Sequence, residues 1–166
     1  MIGGRNPPGN PGGIGSGTKP LTYRAQCLYM SYGIKAVRWF RSGGKEGFMS
    51  VRIKRAYAKP DRDDGRRVLV DGLWPRGMKE ERAQVDEWLK EIAPSDALRK
   101  WYQRNLEEWD EFKRRYYREL DQKADQVDEL VKRAKRERVT LLYCSRDECH
   151  NAAAALAEYL QKEYYV

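Results

Sequence analysis

Two short apolar runs, Arg67-Val-Leu-Val-Asp71 and Val139-Thr-Leu-Leu-Tyr143, constrain this chain more than any other feature. The first, closed by an acidic residue, reads as a strand buried on both faces, and the second is the clearest strand pattern in the sequence. Helical patterns fill the interval between them, and Asn151 to Tyr164, rich in Ala and Leu, reads as a further helix. Strand, helices, strand and helix imply an α/β fold. The expected architecture is a small, largely parallel sheet flanked by helices in three layers, with a flexible N-terminal extension.

The remaining elements follow from periodicity. Val51 to Tyr57 alternates apolar and polar side chains, as a strand with one buried face does. Pro60 to Gly65 reads as a loop, and so do Gly72 and Trp74-Pro-Arg-Gly77, where Pro75 holds Trp74 extended. Val85, Trp88, Leu89 and Ile92 fall at i, i+3, i+4 and i+7, which predicts a helix stopped by Pro94. Ser95 suits the cap of the next helix, with the stripe Leu98, Trp101 and Tyr102. Asn105 with Glu108 resembles a capping box ahead of Trp109, Phe112, Tyr116 and Leu120. Val127, Leu130, Val131 and Ala134 form another stripe, whose basic last turn complements the helix dipole. The break between these last two helices is expected near Leu120 to Asp125.

A length of 166 residues suits one domain, and no run of 18 apolar residues is present to span a bilayer. With 35% charged residues and a mean hydropathy of −0.91, the chain reads as a soluble protein that still has enough apolar content for a core. The net charge of +8 is unevenly distributed. Residues 1–48 hold seven basic residues against Glu46, whereas the remaining 118 hold 26 basic and 24 acidic. A nucleic-acid role is therefore not expected of the folded domain, since phosphate binders concentrate Lys and Arg on themselves. Residues 1–20 contain seven glycines and four prolines and read as a flexible tail; residues 21–42 suit a short basic amphipathic element. The whole of 1–48 is expected to be a leader or upstream extension ahead of a start at Met49. It lacks the apolar stretch and cleavage pattern of a secretory signal, so a cytoplasmic location is expected.

Arg67-Val-Leu-Val-Asp71-Gly-Leu-Trp74-Pro75-Arg76-Gly77, Trp88-Leu-Lys-Glu-Ile-Ala93-Pro94-Ser95, Leu98-Arg99-Lys100-Trp101 and Val139 to Tyr143 with Asp147 and His150-Asn151 form a specific set. The set resembles domain-of-unknown-function family 488, in its YeaO-like branch, over about residues 51–162. The resemblance implies a compact, cytoplasmic, mostly prokaryotic α/β protein occupying residues 49–166, and it implies no established activity, substrate or cofactor. Thiols at Cys144 and Cys149 are not usual in that branch, so chemistry requiring them would not be the family's.

In open α/β sheets, ligands collect at the carboxyl ends of the strands. Two loops qualify here, Asp71 to Arg76 and Cys144 to Asn151. Asp71 suits a general base or an anchor for a substrate hydroxyl or amine, or else a loop cap paired with Arg76. Arg76 suits a bidentate clamp on carboxylate or phosphate. Trp74 reads as a packing anchor before a stacking platform, and Arg55 and Arg52 either face the same cleft or lie on a solvated strand face. His150, the only histidine, follows Asp147 by three residues, which allows an Asp-oriented imidazole to act as acid or base; the alternative is a histidine that bridges the loop. Asn151 is a helix cap or a ligand donor.

Cys144, Asp147, Cys149 and His150 do not have zinc spacing, because adjacent Cys149 and His150 diverge and no second cluster completes a tetrahedral set. No metal and no cofactor is expected. Reduced thiols are the default, with a Cys144 to Cys149 disulfide as the alternative. Two functional readings remain. One is a site for a small polar or anionic ligand built from Asp71, Arg76, Asp147 and His150. The other is a non-catalytic module that contacts protein or nucleic acid through the basic N-terminal extension.

Overall fold

The central strand of the sheet is the one that reads most clearly in the sequence. The computed structural model describes residues 29–30, 34–37 and 51–164. Four strands run parallel: β3 (Val51–Arg55), β4 (Arg66–Leu69), β5 (Glu87–Trp88) and β6 (Val139–Tyr143). A hairpin of β1 (Tyr29–Met30) and β2 (Ile34–Val37) continues the sheet antiparallel from β3, giving the order β1-β2-β3-β6-β4-β5. All other residues of the expected N-terminal tail and amphipathic element lie outside the described ones.

β6 pairs with β3 and with β4, Val139 standing opposite both Val51 and Arg66. All five of its residues are buried, and so are Val68, Leu69 and Val70. A strand with neighbours on both edges and cover on both faces has no solvent side for polar residues, which explains the unbroken apolar runs.

The two covering layers are unequal. Helices α2 (Asp96–Tyr102), α3 (Trp109–Asp121), α4 (Ala124–Ala134) and α5 (Ala152–Tyr164) bury their stripes with Val51, Ile53, Val68, Val70, Val139 and Leu141 in one core cluster. Within it Tyr116, fully buried, donates its hydroxyl to the Ile92 carbonyl at 2.6 Å. The opposite face carries a smaller cluster of Ala56, Leu69 and Leu142, closed by Trp74, Val85, Trp88 and Cys144. The one-turn helix α1 (Glu80–Ala83) lies on this side, where its Ala83 carbonyl accepts from Arg67.

Beside the smaller cluster sits a buried ionic group. Asp64, wholly buried, accepts from Lys54 Nζ at 2.8 and 2.9 Å and from Arg67 Nη1, and its carbonyl accepts from Thr140 at 2.6 Å. Arg67 spends its other donors on the Ala83 and Gln84 carbonyls, both at 2.9 Å. Every charge in the group is therefore met by hydrogen bonds, the condition under which buried ions are tolerated.

The segment 85–92 is not the helix that its spacing predicts. Glu87–Trp88 form edge strand β5, followed by a 3-10 turn at Lys90–Ile92. The supposed stripe is divided between the faces of the sheet: Val85 and Trp88 join the smaller cluster, Leu89 and Ile92 the helix-side core. Backbone pairing to β4 holds this arrangement, with Asp86 N–H donating to Arg67 O and Leu89 N–H to Leu69 O, each at 2.9 Å. The Asp86 carboxylate adds a further bond from the Arg67 N–H, at 2.7 Å.

The caps divide similarly. Ser95 caps α2 as expected, accepting from Leu98 N–H at 3.2 Å. The Asn105–Glu108 capping box does not form: Asn105 donates its amide to the Trp101 carbonyl at 2.7 Å, and α3 starts after Glu108 with no side-chain cap. Between α3 and α4 the break falls at 122–123, inside the expected interval.

Candidate functional site

Because β4 and β6 are parallel neighbours, their carboxyl ends open on one rim, and the two expected loops meet there. Asp71 Oδ2 accepts from the Cys144 N–H at 2.6 Å, stitching the first loop to the start of the second. No ion pair joins Asp71 to Arg76 among the described residues. The Asp71 carboxylate is taken by the Cys144 backbone amide, and Arg76 lies exposed, its carbonyl accepting from the Tyr57 hydroxyl at 3.1 Å.

Burial pushes the Asp71 carboxyl above its ordinary value of 3.8, against the downward pull of the Cys144 N–H and of the Arg99 charge. The Cys144 thiol is pushed far up by burial and by the Asp71 carboxylate beside it, with Arg55 opposing. A thiol so disfavoured as thiolate is a poor nucleophile near neutral pH. No disulfide joins it to Cys149.

These surroundings set an outcome for Asp71→Asn. An Asn oxygen still accepts from Cys144 N–H, while the cost of desolvating a carboxylate disappears. The variant is expected to be more stable than the native protein by about 1 kcal/mol near neutral pH, measured by urea denaturation. A group whose folded pKa is raised burdens the fold only where it is ionised, so the difference should shrink as pH falls below the folded pKa and vanish below the unfolded one. A variant less stable at neutral pH would mean that the carboxylate charge is itself a stabilising partner.

The aromatic residues of the first loop are structural. Trp74 packs edge-on against Trp88 with centroids 5.4 Å apart and donates to the Met78 carbonyl at 2.7 Å; Trp88 donates to the Asp71 carbonyl at 2.8 Å. They fix the loop backbone from the inside, as large rings with one polar handle do.

In the second loop Asp147 is the organiser. Its carboxylate accepts from the N–H groups of Cys149 at 2.7 Å and His150 at 2.9 Å, and faces His150 Nδ1 at 2.9 Å. Burial works to raise its pKa, but these bonds from His150 and Cys149 outweigh it and hold the carboxyl below its ordinary value. The exposed His150 ring packs edge-on against Trp109, with centroids 5.1 Å apart. Asn151 caps α5, accepting from Ala154 N–H at 2.9 Å and donating to the Asp147 carbonyl at 3.1 Å. Asp147, His150 and Asn151 are thus occupied in shaping the loop.

Arg55 differs. At the carboxyl end of β3 it lies against the Tyr57 ring, 4.9 Å from its centroid, and its Nε is buried without a hydrogen-bond partner among the described residues. It acts electrostatically on both Tyr143 and Cys144, which places it at the same rim. Arg146, in the loop after β6, adds an exposed guanidinium that no motif in the sequence marks. The proximity of Asp71 to Cys144 was likewise invisible, because only the β4–β6 pairing creates it.

A mostly parallel sheet with two loops gathered at its strand carboxyl ends defines an α/β protein of the open-sheet class. Residues 50–166 match the family described as the inactive DUF488-N3 subclade, and the chain belongs to that family. It is 39% identical over 113 residues to the uncharacterized protein YeaO of Escherichia coli K12, an alignment that covers 68% of this chain and 98% of that protein. To the uncharacterized proteins Mb3100c of Mycobacterium bovis and Rv3073c of Mycobacterium tuberculosis it is 43% identical over 110 residues, covering 66% of this chain and 92% of each of them. No solved structure matches. No helix among the described residues is long and apolar enough to cross a membrane.

Proposed function

We propose that this protein binds a small anionic ligand at the carboxyl rim of its sheet without transforming it. The Nε of half-buried Arg55, itself buried with no hydrogen-bond partner among the described residues, is the observation that carries this reading. A buried guanidinium donor left unpaired is costly, and a carboxylate or phosphate group is the partner that suits it best. Asp71, desolvated on the same rim, suits a ligand hydroxyl or amine, while Arg76 and Arg146 supply further positive charge from the two loops.

Binding without turnover agrees with the described inactivity of the subclade. It agrees also with the chemistry of the rim, where the Cys144 thiol is held protonated. General acid or base catalysis needs a group facing a reacting proton, and nucleophilic catalysis needs an activated nucleophile.

The test is a thermal-shift and calorimetric screen of the full chain against phosphorylated and carboxylated metabolites, with inorganic phosphate and citrate as the simplest members. Arg55→Met is expected to weaken any hit at least tenfold, the loss of about 1.5–3 kcal/mol that follows removal of a charged hydrogen bond. Turnover of the bound compound, or a hit indifferent to both Arg55→Met and Asp71→Asn, would refute the reading.

A further inference from the structure

The near balance of charge over residues 49–166 is an average along the chain, and the fold sorts those charges in space. At the amino ends of the parallel strands, opposite the rim, cations gather from three separate segments. Arg52 on β3 and Arg138 before β6 both donate through Nη1 to one oxygen, the Asp63 carbonyl, at 3.0 and 3.1 Å. Two guanidinium groups therefore converge on a neutral acceptor, and the Asp63 carboxylate stands 3.5 Å from Arg138. Arg62 is exposed in the same turn as Asp63, and Lys135 and Arg136 are exposed where α4 leads into β6.

The nearby carboxylates do not cancel this excess. Glu87 is already held between Arg66 and Arg133, and Asp64 is sealed inside with Lys54 and Arg67. Glu129 and Glu137 line the last turn of α4 with Lys132 and Arg136, and exposed Asp61 adjoins Arg62, so the surplus is carried by Arg52, Arg138 and Lys135 against the Asp63 carboxylate. Like charges brought together at a surface create a field that favours an anionic partner.

We propose that this amino-terminal edge is a docking surface for the sugar-phosphate backbone of a nucleic-acid duplex. The cations are spread along an edge built from β3, the turn before β4 and the approach to β6, which suits an extended polyanion better than a compact ion. Most are arginines, whose planar guanidinium matches phosphate oxygens. None of the edge residues named offers a ring on which a base could stack, so recognition is through phosphates and independent of sequence.

The experiment measures binding of the full chain to a labelled DNA duplex of about 20 base pairs by fluorescence anisotropy, from about 50 to 200 mM salt. Arg52→Ser with Arg138→Ser is expected to weaken binding more than tenfold at low salt and to lower the log–log salt slope by about 2, one phosphate contact for each arginine. Lys135→Ser with Arg136→Ser, which removes no hydrogen bond of the fold, is expected to do the same and decides the matter should the first pair fail to fold. Arg52→Lys with Arg138→Lys should keep the native slope. Absence of binding at low salt, or a slope unchanged in Lys135→Ser with Arg136→Ser, would overturn the proposal. Equal competition by poly-glutamate would also overturn it, in favour of an acidic protein partner.

Discussion

Replacing Asp64 with alanine should destabilise the protein by about 3–5 kcal/mol in urea denaturation, the usual cost of leaving buried charges without their counter-ion. Lys54 and Arg67, only 5% and 4% exposed, would then face each other across an empty site with nothing between them. The Asp61 N–H, which donates to the same carboxylate at 3.0 Å, would lose its acceptor as well. Asp64→Asn keeps an acceptor and loses the charge, so it should fall between the native protein and Asp64→Ala.

The pH dependence has a definite sign. Burial works to raise the Asp64 pKa, but the bonds from Lys54, the Asp61 N–H and Arg67 prevail and hold it below its ordinary 3.8. A carboxyl with a depressed folded pKa contributes stability that is fully present above its unfolded pKa and is lost as pH falls through the folded one. The gap between native protein and Asp64→Ala should accordingly be constant near neutrality and close in acid. Replacing all three ions by apolar residues, Lys54→Met with Asp64→Leu and Arg67→Met, should cost far less than Asp64→Ala alone. A cost for Asp64→Ala below about 1 kcal/mol would mean that water reaches the group.

Gly65→Ala, one residue further on, is expected to cost about 3 kcal/mol or more for two separate backbone reasons. Gly65 has φ 64° and ψ −139°, a region that a side chain makes strained. An added Cβ would also stand 2.3 Å from the Arg138 carbonyl oxygen and 2.8 Å from the Arg138 Cβ. That carbonyl cannot retreat freely, because it accepts from the Arg66 N–H at 2.8 Å and so ties β4 to the start of β6. Gly77 supplies the control: its φ is 74°, yet nothing lies within 4 Å of an added Cβ, so Gly77→Ala should cost only about 1 kcal/mol of backbone strain. Equal losses in the two variants would show that the approach of Arg138 to Gly65 is not tight.

Much of the architecture was legible because it rests on local chemistry. Val139 to Tyr143 and Arg67 to Val70 had to lie inside a sheet, since no polar side chain in them but Arg67 and Thr140 could tolerate a wet face. Ser95 and Asn151 announce their helices because a short polar side chain can reach the N–H groups three residues ahead, as both do. Segment 85–92 misled for a related reason: four apolar positions at helical spacing cannot distinguish one helix face from two opposite faces of a sheet. The backbone bonds of β4 were decisive there, and they come from residues about twenty positions away.

The candidate site divides in the same way. Asp147, His150 and Asn151 are close in sequence, so their mutual bonds could be anticipated. Asp71 and Cys144 are joined by a 2.6 Å bond across 73 positions, and Arg52 meets Arg138 on one carbonyl across a still longer interval. The order of residues determined which segments would be strands, which would be helices and where their caps would fall, because hydrogen bonding and burial over a few residues decide those. Only the folded sheet decided which charges are sealed inside, which share a rim and which crowd one edge, because electrostatic neighbours are set by distance in space and a linear charge count cannot contain it.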